Sequence, residues 1–267
     1  MKIDELFNVS GKVAVVTGGS RGIGEMIAAG FLANGVKVYI TARKEAALIE
    51  KANELSKTYQ AECIPVPCDL STMDGMEDFA AFMKSKEEHI DFLINNAGAS
   101  WGGPYAEYSE KGWDKVMDLN VKSIFYLTQK LTPMLTVKAS DDDPSRVVNI
   151  GSIDGLNVPA IESYAYGVSK AAVHHLTRVQ ARRLVKENIL VNAIAPGPYE
   201  SMMLGAAVNH DYSLIESRNP RKRIGSPEDM AGLVIFLCSR AGAYTVGAVI
   251  QSDGGLVGTA GHDLSSS

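Results

Sequence analysis

No run of the 267-residue chain is apolar over the ~18 residues that a membrane span requires, so no membrane partner is expected. The longest apolar stretch, around Leu233 to Cys238, reads as one face of a buried helix. A surplus of positive charge is missing too. The net charge is −5, which argues against a nucleic-acid partner, because neutralising phosphates takes an excess of Lys and Arg. Basic runs such as Arg221-Lys222-Arg223 are short and suit a solvated loop. Cysteine is scarce: Cys63, Cys68 and Cys238 are odd in number and lack C-x-x-C spacing. That predicts reduced, packed thiols in a cytoplasmic protein. The first eleven residues carry Asp4 and Glu5 and no apolar core, so neither a secretory leader nor a mitochondrial presequence is expected. No cluster of His, Cys and carboxylate has metal-ligand spacing, and no metal is expected. Hydrophobic residues make up 46% and charged residues 21%, an ordinary globular balance that excludes a disordered chain.

What the chain does have is a regular alternation of short β-branched runs with helix-length amphipathic segments. Strands are expected at Lys12 to Thr17, Val36 to Thr41, Glu62 to Pro67 and Phe92 to Asn95. Helices are expected between them, at Gly22 to Ala33, Glu45 to Lys57 and Thr72 to Lys86. Pro65 and Pro67 assign the third strand to a sheet edge, where fewer ladder donors are needed. A long helix near Trp113 to Leu135, a strand at Arg146 to Ile150, a helix near Tyr164 to Val185 and a strand at Leu190 to Ile194 continue the rhythm. A helix at Pro227 to Cys238 and a strand at Ala248 to Gln251 end it. This pattern implies an α/β fold, a doubly wound parallel sheet of Rossmann type, as a single domain over 1–267. The polar segment 196–225 breaks the rhythm and is expected to form a mobile lid over the cleft. Its Met202, Met203, Leu204 and Tyr212 suit an apolar substrate chain or the packing of the lid itself. Trp101 and Tyr105 are candidates for the pocket wall.

Directly after the first strand stands Thr17-Gly18-Gly19-Ser20-Arg21-Gly22-Ile23-Gly24. A strand that feeds a glycine-rich turn and then a helix is the physical setting of a pyrophosphate site. Glycines let the backbone approach the phosphates, and the helix N-terminus offers unpaired N–H groups and the positive end of its dipole. The spacing is G-x-x-x-G-x-G, not the commoner G-x-G-x-x-G. Sites for NAD place an acidic side chain at the end of the second strand. Here that strand ends Tyr39-Ile40-Thr41-Ala42-Arg43, with no carboxylate before Glu45. Arg43, with Arg21 in the turn, can clamp a 2′-phosphate instead, and this favours NADPH/NADP as the cofactor.

The fifth strand ends at Asn149-Ile150-Gly151-Ser152 and brings a hydroxyl to the carboxyl edge of the sheet, where open α/β folds bind ligands. Further on, Tyr166 and Lys170 stand four apart, on one face of a helix. Tyr164 lies two residues earlier, but only Tyr166 has a lysine four residues later. A lone Y-x-x-x-K is common by chance. Joined to a strand-end serine and a glycine-rich first turn, it specifies a chemistry.

Over nearly its whole length the sequence resembles the short-chain dehydrogenase/reductase family. The resemblance is carried by Thr17 to Gly24, Asn95-Asn96-Ala97-Gly98, Asn120, Ser152, Tyr166, Lys170 and Pro196-Gly197. Within the family it is similar to the NADPH-dependent β-ketoacyl reductases, in particular a fungal branch and the rhamnolipid-synthesis type. Those share the stretch Asn96 to Gly102 and the segment Ala241 to Tyr244. The resemblance implies hydride transfer from NADPH to a carbonyl substrate, a 3-oxoacyl thioester or a ketone. Tyr166 would be the general acid and Ser152 would polarise the carbonyl. Lys170 would lower the pKa of Tyr166 and bond the nicotinamide ribose, and Asn120 would hold a water in the proton path. Around the cofactor, Gly18, Ser20, Arg21, Gly22, Ile23 and Gly24 would cradle the phosphates. Asp69 and Leu70 would meet the adenine, Asn96, Ala97 and Gly98 the adenosine side. Pro196, Gly197 and Ser201 would meet the carboxamide. A homo-oligomer, tetramer or dimer, is implied as well. His174 and His175 are expected to serve helix packing or subunit contact, and Asp253-Gly254-Gly255 a turn. Two other readings stay open: an alcohol or polyol dehydrogenase, and a non-catalytic dinucleotide-binding regulator.

Overall fold

The computed structural model describes residues 2–159, 161–201, 205, 209 and 211–259. After a short helix α1 (Ile3–Leu6), the chain alternates β1 (Val13–Thr17), α2 (Gly22–Ala33), β2 (Lys37–Ala42), α3 (Glu45–Tyr59), β3 (Cys63–Pro67), α4 (Met73–Lys86) and β4 (Phe92–Asn95). The second half adds α5 (Glu110–Met117), α6 (Ser123–Leu135), β5 (Ser145–Ile150), α7 (Tyr164–Leu184) and β6 (Ile189–Pro196). It closes with α8 (Ser213–Arg218), α9 (Pro227–Cys238) and β7 (Val249–Ser252).

The seven strands form one sheet in the order β3-β2-β1-β4-β5-β6-β7, and every neighbouring pair is parallel. Strand order reverses between β1 and β4, so the loops after these two strands open a crevice at the carboxyl edge. The proline-bearing β3 lies at an edge, as its sequence predicts. β1 is buried on both faces, as a central parallel strand must be. Its Ala14 and Val16 pack with Ile27, Phe31, Val234 and Leu237 on one side. Val13 and Val15 pack with Phe79, Leu127, Leu131 and Leu184 on the other. Side chains cap the starts of α4 and α9: Thr72 accepts from the Gly75 amide, and Ser226 and Asp229 form a reciprocal capping box ahead of Pro227. α2 and α9 approach closely because residue 30 is glycine; a Cβ there would stand 2.5 Å from that of Ala231.

The long helix expected near Trp113 to Leu135 is a composite. α5 passes into α6 through one wide turn, Asp118–Lys122, with a π-helical bond pattern. Within the polar segment before α9 the structure places a helix, α8, that the composition did not announce. Met202, Met203 and Leu204 lie outside the described residues. Cys63, Cys68 and Cys238 are free thiols. No helix among the described residues is long and apolar enough to cross a membrane.

Candidate active site

The glycine turn after β1 takes its shape from two residues in the left-handed region, Gly18 (φ 65°) and Gly22 (φ 56°). At Gly24, in the first turn of α2, a Cβ would fall 2.3 Å from the Gly18 carbonyl oxygen and 2.4 Å from Asn96 Nδ2. The turn is therefore folded onto the start of its own helix as tightly as a backbone allows. Asn96 fastens it: its amide group donates to the carbonyls of Thr17 (2.8 Å) and Gly18 (3.2 Å). Thr17 Oγ1 in return accepts from the Asn96 and Ala97 amides, both at 2.9 Å. Ser20, Arg21 and Ile23 sit along this turn, with Arg21 exposed at the position that precedes α2. Ser201 comes alongside: a Cβ on Gly22 would be 3.3 Å from that of Ser201.

At the end of β2, Arg43 is 61% exposed and its guanidinium lies 4.0 Å from the Asp69 carboxylate. Burial pushes Asp69 up, but the Ser71 hydroxyl and amide, and then Arg43, hold it below its usual value. Leu70 is buried beneath it in the core. These residues form a rim around the crevice: a cradle that admits only glycine on one side, a cation and a fixed carboxylate on the other. Such a donor set fits the pyrophosphate and phosphorylated ribose of NADP.

The second cluster lies past the ends of β5 and β6. Ser152 follows β5 and accepts the Asp154 amide at 3.1 Å within a tight turn, Ile153–Gly155. Its hydroxyl lies near enough to that of Tyr166 to draw the phenol's pKa down in part. Tyr166 and Lys170 are on α7, and the Lys170 ammonium lies 5.5 Å from the centre of the Tyr166 ring. Lys170 is buried and donates to the Ile150 carbonyl at 2.8 Å. Burial pushes the Tyr166 phenol up to about 12 and draws Lys170 down to about 8. Desolvation is the leading cause for both and favours the neutral form of each; for Tyr166 the Ser152 hydroxyl opposes it and the Asp154 charge adds to it.

Asn120 sits in the wide turn between α5 and α6, where irregular helix hydrogen bonding frees side chains for special duties. Its Oδ1 accepts the Ala99 amide (2.8 Å), and its Nδ2 donates to the Ala99 carbonyl (3.0 Å) and to Ser169 Oγ (2.9 Å). The loop after β4 is thereby pinned to α7. Gly98 lies in the middle: a Cβ there would be 3.4 Å from Asn120 Oδ1 and 3.8 Å from Lys170 Nζ. Gly197, after β6, bonds to the Ser252 carbonyl and packs on Asp253, whose carboxylate accepts the Gly255 and Val257 amides in a tight turn.

Tyr164 is turned to a different task. Its hydroxyl donates to Glu162 (2.7 Å), and its ring stands edge-on to those of Tyr105 and Tyr108. Trp101 packs on α5 at Gly112 with Lys115 over its ring. His174, four residues after Lys170, is buried against the backbone of the serine turn. A Cβ on Gly151 would stand 2.2 Å from its Nε2, and one on Gly155 2.8 Å from its Cε1. Burial first, then the Lys170 charge, pushes the imidazole down to about 4. The sequence reading passed over Asp154, whose only signal is its place two residues after Ser152.

Residues 18–257 match the family described as Enoyl-(Acyl carrier protein) reductase. The chain is 45% identical to the rhamnolipids biosynthesis 3-oxoacyl-[acyl-carrier-protein] reductase of Pseudomonas aeruginosa, covering 93% of this chain and 97% of that one. The chain belongs to the short-chain dehydrogenase/reductase family. A second family member, the 2-dehydro-3-deoxy-D-gluconate 5-dehydrogenase of Escherichia coli, is 34% identical over 93% of this chain and 96% of its own. The structure superimposes on the RhlG/NADP active-site complex of Pseudomonas aeruginosa with a TM-score of 0.90 and 44% identity, over 94% of this chain and 98% of that one. On the L-sorbose reductase of Gluconobacter frateurii complexed with NADPH and L-sorbose it reaches a TM-score of 0.86 and 29% identity, over 95% and 99%. The overall fold of the chain is therefore that of these two structures.

Proposed function

We propose that the protein is an NADPH-dependent carbonyl reductase acting on a 3-oxoacyl thioester or a related ketone. The observation that carries this reading is the juxtaposition, at one end of the sheet, of the Ser152–Tyr166 hydroxyl pair with buried Lys170 and the glycine cradle. NADPH, when bound, supplies the hydride. Gly18 to Gly24 would hold its pyrophosphate, Arg43 and Arg21 its 2′-phosphate, and Asp69, Leu70 and Asn96 to Gly98 its adenosine side. Pro196, Gly197 and Ser201 would meet the carboxamide, and Lys170 the ribose.

The chain's own chemistry then falls to three groups. Ser152 donates a hydrogen bond to the substrate carbonyl oxygen and polarises it, in a site where water is largely excluded. Tyr166 remains a phenol at neutral pH and gives its proton to that oxygen as negative charge develops. Lys170 places a positive charge beneath the phenolate that forms. Asn120 locks the loop after β4 to α7 and keeps a second lone pair on Oδ1 for a water near Lys170. The segment 196–225 closes over the substrate, and the exposed Tyr105 beside Tyr164 offers apolar surface at the entrance. Free thiols support a cytoplasmic location. The exposed apolar residues Phe125, Val168 and Val179 on α6 and α7 support a homo-oligomer, a dimer or tetramer.

Tyr166→Phe tests the assignment. The variant is expected to lose about 10²- to 10⁴-fold in kcat while binding NADPH normally by fluorescence titration. Turnover at the wild-type rate would refute it. Turnover of a 3-oxoacyl thioester, a simple ketone, a ketose and a sugar acid, compared side by side, decides between ketone reduction and the sugar or sugar-acid chemistry for which other family members are named.

A further inference from the structure

Asp154 is an acid beside the reacting groups that the mechanism above does not use. It sits in the turn that carries Ser152, with its amide bonded to the serine hydroxyl at 3.1 Å. The same turn is pressed onto α7. A Cβ on Gly155 would lie 2.5 Å from the Lys170 carbonyl carbon, and one on Gly167 would lie 3.4 Å from the Asp154 carbonyl oxygen. The side chain is half-buried, and among the described residues its carboxylate makes no hydrogen bond or ion pair. Its charge nevertheless acts on both reacting groups, raising Tyr166 and Lys170 alike. Burial raises the pKa of Asp154 itself, and Lys170 opposes that rise.

The two charges of the site differ in reach. Lys170 is 5% exposed and committed to the Ile150 carbonyl, below Tyr166. His174, behind it, is neutral above about pH 4. Asp154 has no such commitment and retains exposed surface. Asp154 therefore adds a partly exposed negative charge two residues from Ser152, near enough to act on Tyr166 and Lys170. A like charge brought close in a partly desolvated site is strongly penalised, and specificity commonly rests on such repulsion as much as on attraction.

We infer that Asp154 is a specificity-determining residue that rejects substrates bearing a carboxylate next to the reacting carbonyl and admits uncharged ones. Resting on the carbonyl-reductase reading, this narrows the substrate class: a 3-oxo acid is accepted as its ester or thioester and refused as the free acid. A neutral ketone with a hydroxyl beside the carbonyl is admitted as well, since a hydroxyl can donate to the carboxylate. A sugar acid with its carboxylate next to the reacting carbon is refused.

The test compares kcat/KM with NADPH for 3-oxobutanoate and its ethyl ester, in the wild type, Asp154→Asn and Asp154→Glu. The wild type is expected to favour the ester. Asp154→Asn should shrink the ester-to-acid ratio at least about tenfold, and Asp154→Glu, which keeps the charge, should hold it within about threefold. Reading a ratio separates charge selection from any general loss of activity. Asp154→Ser provides the same comparison if the asparagine variant does not fold. Reduction of the ester with a ratio unmoved by loss of the charge overturns the role of Asp154 and leaves the reductase reading standing. A wild type inert to every uncharged ketone and thioester overturns that reading and the inference together.

Discussion

Burial decides the protonation states in the cleft more than neighbouring charge does. Tyr166 at about 12, Lys170 at about 8 and His174 at about 4 all move toward their neutral forms, each with desolvation as the leading cause. Sequence spacing places Lys170 on the face of Tyr166 but carries no information on depth, and it is depth that leads the rise of the phenol. His174 turns this into a stability effect. Its pKa falls from 6.5 to about 4 on folding, so the unfolded chain binds more protons between those values, and stability declines as pH falls from about 6.5 to about 4. The full cost is on the order of 3 kcal/mol. Urea unfolding at pH 7 and pH 4.5 measures it: His174→Gln should lose less stability on acidification than the wild type. Equal losses would contradict the buried, neutral imidazole.

At the scale of elements, the glycine turn is the part with least tolerance. Gly24→Ala places a methyl group against the Gly18 carbonyl and the Asn96 amide, both backbone-holding groups with nowhere to retreat. The turn must open, and isothermal titration should show NADPH binding weakened at least about tenfold, which is about 1.4 kcal/mol. Unchanged affinity would mean that the turn is not the phosphate cradle. This turn was legible in the sequence because strand, glycines and helix follow one another without interruption. So were β1 to β7, whose β-branched runs match the observed strands to within one or two residues, with Pro65 and Pro67 marking the edge. Less legible was the wide turn at Asp118–Lys122. Its side chains continue the helical period, and only the hydrogen-bond pattern changes. α8 was hidden because Ser213–Arg218 is too short to show periodicity. Asp154 was missed for another reason: nothing about an aspartate in a polar loop reveals that α7 folds back against it.

The whole molecule is one parallel sheet whose reversal of order sets the two halves of the site side by side. The cofactor half hangs on β1, β2 and β4, and the chemical half on β5, β6 and α7. On the proposed reading both halves are needed, and the single sheet is what brings them side by side. The outward faces of α6 and α7 leave Phe125 and Val179 exposed at 41% and 53%, next to the elements that hold Tyr166 and Asn120. Sedimentation velocity should therefore find dimers or tetramers at micromolar concentration, whereas a monomer would leave that apolar face without an explanation.

The central claim, that this arrangement reduces a carbonyl with NADPH, is tested most directly by cofactor oxidation at 340 nm. NADPH and NADH are compared in parallel against a 3-oxoacyl thioester, a simple ketone, a ketose and an enoyl thioester. The account predicts rapid oxidation of NADPH with the 3-oxoacyl thioester, slower oxidation of NADH, and no reaction with the enoyl thioester. Turnover of the enoyl thioester alone, or equal use of both cofactors by an enzyme inert to every carbonyl, would contradict it.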